Sequence, residues 1–419
     1  MILVTEPLPT SEADMLTTAE AREAILLAMP KLGSTPIETA AASGRVLRQA
    51  VHAERDQPPF DRVTMDGIAV SYESLTQGVT RFRIVATQHA GDPATALTDS
   101  DDMPGCIEVM TGGVLPSGSD CVIPVERIAV SEGWAEVEAG YRAERQQFVH
   151  ARGSDHRQGS ALLQAGSTIG PAEVAIIASC GLASVEVSQQ PVIRVISTGN
   201  ELVPAGAPVA AHQIRSSNGP ALIAMLLQQG FSNCRHQHLV DDQESLRTRI
   251  GDELREAQII ILSGGVSMGK ADFVPQVLVE LGVKKVFHKI SQRPGKPMWF
   301  GLGPDDQAVF ALPGNPVSTL VCCRQYVLPA LLAASGRAAP ANEWAILTED
   351  VTFEPQLTSF LPVRLRSDID GITRARPVAV NTSGDFTALG GTDGYVELER
   401  ERNHFAQGSP VPLHRWDRP

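Results

Sequence analysis

Ser263-Gly264-Gly265-Val266-Ser267-Met268-Gly269-Lys270-Ala271-Asp272 has the composition of an anion cradle. The apolar run 259–262 before it reads as a buried strand, and residues 273–281 after it read as a helix. A strand that turns into a helix through small residues aims unpaired backbone N–H groups at whatever lies beyond the strand end. Glycine lets that backbone approach a phosphate with no Cβ in the way. Lys270 adds a cation and Asp272 a metal ligand. Three more turns carry related residues, each after a strand-like run: Ser197-Thr198-Gly199-Asn200-Glu201, Asp241-Asp242, and Leu312-Pro313-Gly314-Asn315-Pro316. Ligands of open α/β sheets bind beyond the carboxyl ends of the strands, so four such turns point to one site at one edge. Glu201, Asp241 and Asp272 follow three different strands and are placed to gather around a hard cation. Mg²⁺ takes one or two carboxylates, keeps waters and bridges phosphate oxygens. Taken singly, each acid also reads as a helix cap or a solvated charge. Lys289, Arg293 and Lys296 share a Pro/Gly-broken loop. There they can bind oxyanions, arginine by a planar fork and lysine as a point charge, or simply face water.

The elements that must position these groups follow from periodicity. A capping box at Thr17-Thr18-Ala19-Glu20 opens a helix with Ala21, Ile25, Leu26 and Met29 on its apolar face. Residues 58–150 hold short alternating runs, such as 81–85 and 134–137, between Gly, Pro and Asp clusters, the pattern of a small all-β unit. A helix is expected over 171–179. From residue 191 the pattern is strand, turn and helix in repetition. Strands are expected at 192–197, 234–240, 258–262, 284–290 and 307–312, and helices at 218–229 (capped by Ser217), 243–256, 273–281 and 316–332. This alternation implies a mostly parallel sheet with helices on both faces. Residues 333–340 read as a linker, and the runs 360–365, 372–380 and 395–398 as a small C-terminal β domain.

The chain has 419 residues, too long for one ordinary core, and a formal net charge of −13, which argues against a general nucleic-acid surface. Its six cysteines (Cys106, Cys121, Cys180, Cys234, Cys322 and Cys323) lack CxxC spacing and zinc-type histidine partners, so they read as reduced, mostly buried thiols. The N-terminus has no signal-peptide pattern, and no apolar run reaches the ~18 residues that span a bilayer. The chain therefore reads as cytoplasmic.

Two further segments stand out in the β region. Pro58-Pro59-Phe60-Asp61-Arg62-Val63-Thr64-Met65-Asp66-Gly67-Ile68-Ala69-Val70 leaves Asp61 and Asp66 in a proline-fixed loop, and Met110-Thr111-Gly112-Gly113-Val114-Leu115-Pro116 sets a hydroxyl beside paired glycines. Each on its own reads equally as β-turn chemistry. Taken with the STG-x-EL segment at 197–202, the SGG-x-S-x-G-x-AD segment at 263–272, PGKP at 294–297 and LPGNPVS at 312–318, they resemble the MoeA/gephyrin family, the molybdopterin molybdenumtransferases. Order and spacing agree along essentially the whole chain.

The resemblance implies a multidomain α/β fold. Its parts would be a mixed α/β domain (14–57 plus 151–190), a β-rich insertion (58–150), a three-layer α/β/α domain like that of the molybdopterin adenylyltransferases (191–335), and a C-terminal β-barrel-like domain (343–419). It implies a homodimer whose site joins one subunit's α/β/α domain to its partner's β insertion, with the molybdopterin adenylyltransferase as a further partner. The implied reaction inserts molybdate into adenylylated molybdopterin with release of AMP and use of Mg²⁺, and needs neither nucleic acid nor membrane. Residue by residue, the resemblance places functional positions at Asp61, Thr111, Asp155, Glu201, Asp241, Asp272, Lys289 and Arg293. Asp61, Thr111, Glu201, Asp241 and Asp272 then read as catalytic, the last three as the candidate metal ligands, although Mg²⁺ rarely takes three carboxylates at once. Asp155, Lys289 and Arg293 read as substrate-binding, and the turns and loop add Ser263, Gly264, Gly265, Ser267, Lys296, Gly314, Asn315 and Ser318 to that set. The chain departs from the family pattern at His150, where the family has an Arg-rich run, at Arg293, where it has lysine, and at Asp385 and Asp393. Two other readings stay open: an adenylyltransferase-like or nucleotide-hydrolysing enzyme, and a non-catalytic scaffold for cofactor delivery.

Overall fold

The computed structural model describes residues 15–98, 103–266, 273–353 and 356–417, and the expected site residues Ser267 and Asp272 lie outside them. Compactness divides the chain into two units: Met1–Gln49, Ala165–Gly170 and Ser184–Pro419 in one, Ala50–Gln164 and Pro171–Ala183 in the other.

Helix α1 (Thr18–Ala28) begins at the capping box read from the sequence. The Thr17 hydroxyl accepts from the Glu20 amide and the Glu20 carboxylate accepts from the Thr17 amide. Ala21, Ile25 and Met29 are buried as expected, but Leu26 is exposed, because the apolar stripe is narrower than the run of apolar letters.

The second unit is built on a six-stranded sheet: β1 (Gly67–Val70), β2 (Arg81–Gln88), β3 (Gly105–Val109), β4 (Cys121–Pro124), β5 (Ile128–Ser131) and β6 (Trp134–Val137), in the order β4-β1-β3-β2-β6-β5. Side chains alternate between two cores. Ile68, Val70, Phe82 and Ile123 face one, Ala69, Ile107, Val109 and Val122 the other. The region is not wholly β, since Tyr72–Thr76 forms a short helix. Helix α2 (Pro171–Ser179) belongs to the same unit.

In the first unit the alternation read from the sequence folds into β7 (Ile193–Thr198), α3 (Asn218–Gln228), β8 (Cys234–Leu239), α4 (Gln243–Glu256), β9 (Ile259–Ser263), α5 (Val274–Glu280), β10 (Lys284–His288), β11 (Trp299–Leu302), β12 (Ala308–Leu312) and a helical run α6 (Pro316–Ala334). The sheet order is β8-β7-β9-β12-β11-β10. Strand β11, which the sequence pattern did not reveal, is antiparallel to both neighbours and makes the sheet mixed. Odd-numbered side chains such as Ile193, Val195, Ile259 and Ile261 pack with α1, α3 and α6, while Ile196, Ile260 and Leu262 pack with α4 and α5.

Within α6, Cys323–Val327 winds as a π segment, and Pro329 follows in the first turn of the α-helix beyond it. Proline has no N–H to give to the carbonyl four residues back, which accounts for the local unwinding. At 19 residues, α6 is long and apolar enough to cross a membrane by length and mean composition, although Ser318, Thr319, Arg324 and Gln325 interrupt its apolar run; 83% of its apolar window is buried inside the fold, so it is a core helix.

The C-terminal strands β13 (Glu343–Leu347), β14 (Thr358–Ser367), β15 (Thr373–Pro377), β16 (Gly394–Leu398) and β17 (Pro410–Arg415) close on themselves in the order β14-β15-β13-β17-β16, with β16 returning to β14. Gln292–Arg293 adds a short parallel strand to β14. Among the turn acids, Asp393 accepts from the Leu365 amide, and Asp385 accepts from the Thr387 hydroxyl and Asn381. All six cysteines are free, and burial pushes the Cys106 thiol up to about 12 and Cys121 to about 11.

Two positions test this packing. At Gly219 an added Cβ would lie 2.1 Å from His236 Nε2, whereas at Gly314 its nearest neighbour would be Gly264 Cα at 3.5 Å. Gly219→Ala should therefore destabilise the protein by about 1–3 kcal/mol through overpacking, while Gly314→Ala leaves the denaturation midpoint nearly unchanged. Arg194 and Glu253, with side chains 11% and 7% exposed, pair at 2.8 Å. Glu253→Leu, which leaves the buried guanidinium only the more distant Glu256, at 3.6 Å, as a charged partner, should cost about 1.5–3 kcal/mol, and Arg194→Met added to it should restore much of the loss. Equal stability of the single and double variants in urea unfolding would contradict this account.

Candidate functional site

Parallel pairing sets the strand ends of the mixed sheet level with one another. Ser197 pairs with His238 and with Ser263, and Ser263 with Leu312, so the turns after β7, β8, β9 and β12 leave the sheet along one edge. Asn218, the first residue of α3, ties them together. Its Nδ2 lies 2.9 Å from Ser263 Oγ, 2.8 Å from the Gly314 carbonyl and 3.2 Å from Thr319 Oγ1. Ser217 stands at the cap position of α3 but makes no side-chain cap bond, contrary to expectation. Asn218 was missed because an asparagine at a helix start reads as local capping, and its cross-strand partners depend on the sheet.

Two glycines are required on steric grounds. Gly264 and Gly265 have φ of +102° and +67°, and a Cβ at either would sit 2.7 Å from the Thr198 carbonyl or 2.6 Å from Val274 Cγ2. The turn after β9 therefore presses its bare backbone against the end of β7. The buried Thr198 hydroxyl, Asn218 Oδ1 and His288 Nε2 have no hydrogen-bond partner among the described residues.

The turns bearing Glu201 and Asp241 are neighbours. The Asp241 amide donates to Asn200 Oδ1 at 3.1 Å, and His238 Nε2 donates to the Gly199 carbonyl at 2.7 Å. The Glu201 carboxylate folds back over Gly199, both of its oxygens 2.8 Å from where a Cβ would be. Within the sheet, His236 Nε2 meets Ser197 Oγ at 3.0 Å, and burial holds that imidazole below its ordinary value, with His238 adding to the effect. No cluster of three or more His, Cys, Asp or Glu side chains suited to a metal occurs among the described residues.

The basic loop is a neck and a tip. Lys289 (φ +81°) donates its amide to Met298, and Ile290 donates to Lys296, so the two lysines flank the neck. Arg293 lies at the exposed tip, its guanidinium 5.8 Å from the Phe353 ring centroid. Asn315 donates to Ser383 Oγ at 2.6 Å, linking the Pro-Gly-Asn-Pro turn to the C-terminal barrel, and Ser318 is buried.

In the other unit, Asp61 and Thr111 sit in separate hydrogen-bonded latches. Asp61 Oδ1 accepts from the Arg152 amide at 2.7 Å, while Arg152 Nε donates to Asp56 at 2.9 Å. Thr111 donates both its amide (2.6 Å) and its hydroxyl (2.7 Å) to Asp66 Oδ1, and these bonds hold the Asp66 carboxyl below its ordinary value. Arg62 donates to His150 Nδ1 at 3.0 Å, so Nε2 carries the proton and donates to Asp155 at 3.0 Å. His150 is thus a relay between an arginine and an acid. Asp56 and Arg62 were not singled out from sequence, and Asp66 was noted without a partner, because the groups they bond to lie 45 or more residues away.

Comparison with known proteins places this arrangement. The chain matches the family models "MoeA N-terminal region (domain I and II)" over residues 16–181, "Probable molybdopterin binding domain" over 194–333 and "MoeA C-terminal region (domain IV)" over 345–416. It is 39% identical to a molybdopterin molybdenumtransferase of Synechocystis over 96% of this chain and 100% of that protein. A second, of Synechococcus elongatus, is 33% identical over 88% and 91%. The crystal structure of a molybdopterin biosynthesis MoeA protein from Pyrococcus horikoshii superposes with a TM-score of 0.80 at 28% identity, covering 96% of this chain and 99% of that one. With all three regions matched in order and relatives aligned end to end, the chain belongs to the MoeA family.

Proposed function

We propose that this protein is a molybdopterin molybdenumtransferase of molybdenum cofactor biosynthesis, inserting molybdate into the dithiolene of adenylylated molybdopterin with release of AMP. The observation that carries the reading is the shared edge of the mixed sheet, where Ser-Thr-Gly, Asp-Asp, Ser-Gly-Gly and Pro-Gly-Asn-Pro turns stand level in a chain that matches the family throughout. The substrates are an oxyanion and a pyrophosphate. Backbone N–H groups beside Gly264 and Gly265 and the cations Lys289 and Lys296 suit both, with Arg293 reaching from the loop tip. Glu201 and Asp241 offer hard oxygen donors from adjacent turns, which suits Mg²⁺ with Asp272 and water or phosphate oxygens completing the set. Bound there, Mg²⁺ would offset phosphate charge and polarise a phosphoryl oxygen. The reaction needs no covalent protein nucleophile, consistent with buried thiols whose pKa values are raised.

The reading further includes Asp61, Thr111 and Asp155 as substrate-facing groups of the β insertion, the four-part domain division, a homodimer, a cytoplasmic location and hand-over from a molybdopterin adenylyltransferase. Support for the β residues is the precision with which Arg152, Asp66 and His150 hold them.

The purified protein, given adenylylated molybdopterin, molybdate and Mg²⁺, should release AMP in step with formation of cofactor able to activate a molybdenum-free apo-enzyme. AMP release that is indifferent to molybdate would favour the nucleotide-hydrolysing reading, and no release the scaffold reading. The Asp66–Thr111 latch gives a second test. A carboxyl held below its ordinary 3.8 contributes fully above that pH and fails only as pH falls through the lowered folded value. Thr111 amide exchange should therefore stay protected from neutrality down to about pH 4. Asp66→Ala should remove the protection and lower turnover roughly 10-fold or more, whereas Asp66→Asn, which keeps an acceptor, should retain most of both.

A further inference from the structure

We infer that Tyr326 and Gln292 are positioning residues for the Pro294-Gly295-Lys296 turn, clamping it from beneath through the π segment of α6. This rests on the reading of that turn as an oxyanion site. Gln292 and Tyr326 are 0% and 1% exposed, so their polar atoms must find partners inside the protein. The Tyr326 hydroxyl donates to Gln292 Oε1. Burial raises the phenol well above its ordinary value, so it remains a donor throughout the working pH range.

The turn itself settles the amide's orientation. The Pro294 carbonyl can only accept, so Nε2 faces it and donates at 3.0 Å, which leaves Oε1 to the phenol hydroxyl. Cys322, one helical turn before Tyr326, sets its Sγ 3.8 Å from the Gly295 carbonyl. Gly295 has φ of +97°, and a Cβ there would fall 2.4 Å from Cys322 Sγ and 2.5 Å from Gln292 Nε2. The turn is thus seated closely on two side chains, Gln292 and Cys322, with Tyr326 bonded to Gln292 behind it. From its other side the Lys296 carbonyl accepts from Ile290.

Without the phenol hydroxyl, Gln292 Oε1 is left buried with no donor. The side chain must shift to find one, and its hold on the Pro294 carbonyl loosens. Lys296 would lose its place before its charge. The same helix begins at the Pro-Gly-Asn-Pro turn, so α6 locks two edges of the site to one rigid element.

The experiment uses the full-length protein and compares Tyr326→Phe with Tyr395→Phe. Tyr395 is equally buried, and its hydroxyl donates at 3.0 Å to Gln325 Oε1, away from the turn. Each loses one buried hydrogen bond, so both melting temperatures should fall by similar amounts. Only Tyr326→Phe should raise the KM for molybdate, or for adenylylated molybdopterin, by roughly fivefold or more while kcat stays within about twofold. Gln292→Asn, whose amide is too short to span hydroxyl and carbonyl, should give the same split and serves if Tyr326→Phe does not fold. Lys296→Ala separates the two layers of the argument. If it leaves both KM values unchanged, the turn is not an oxyanion site and the inference falls with that reading. If it raises a KM that neither Tyr326→Phe nor Gln292→Asn moves, or if Tyr395→Phe moves it equally, the clamp alone is overturned.

Discussion

The register of the parallel strands governs the rest of the site. Ser197, His238, Ser263 and Leu312 pair at the same level, so the turns that follow begin from one line. A slip of one residue would send every side chain of a strand to the opposite face and exchange the two cores. The alternation of Ile259 and Ile261 toward one helix layer and Ile260 and Leu262 toward the other makes that slip costly. Burial on both faces thus indirectly sets where Gly264, Asn200 and Asp241 stand.

Upon that line, close backbone contact completes the geometry. Gly264 and Gly265 press on the end of β7, and Asn218 spends its amide hydrogens across two strand ends rather than on its own helix. Helix α6 extends the same logic toward the barrel. It starts at Asn315, which reaches Ser383, and its π segment turns Tyr326 toward the basic loop and Gln325 toward Tyr395. An interruption required by Pro329 therefore lies where one helix must serve a sheet edge, a loop and a barrel at once.

The loops of the β-rich unit are held by carboxylate acceptors. Its acids Asp56, Asp61, Asp66 and Asp155 each accept from a residue across the loop cluster, so loops with little apolar content are held by directed hydrogen bonds. Such bonds are strongest where a charged acceptor meets a backbone N–H. They also explain why His150 is no simple substitute for an arginine: Arg62 fixes its tautomer and Asp155 accepts a hydrogen bond from its Nε2–H.

By itself the sequence determined the family, the α/β alternation and the capping box of α1, because these depend on periodicity and on neighbours within a few residues. The helix α4 was legible to both its ends, since Asp242 caps it locally. Strand β11 was not, because Trp299–Leu302 is a short apolar stretch without alternation, and only its pairing with β12 and β10 identifies it. Leu26 misled for a related reason, since which side of an apolar helix faces water is decided by the element opposite. Glu201 and Asp241 were legible as candidates, but the Asn200 bond between their turns was not. The roles of Asn218, Asp66 and Arg62 were decided only by tertiary structure, because each bonds to a group 45 to 101 residues distant, and hydrogen bonds of that span exist only once the sheets have brought the loops together.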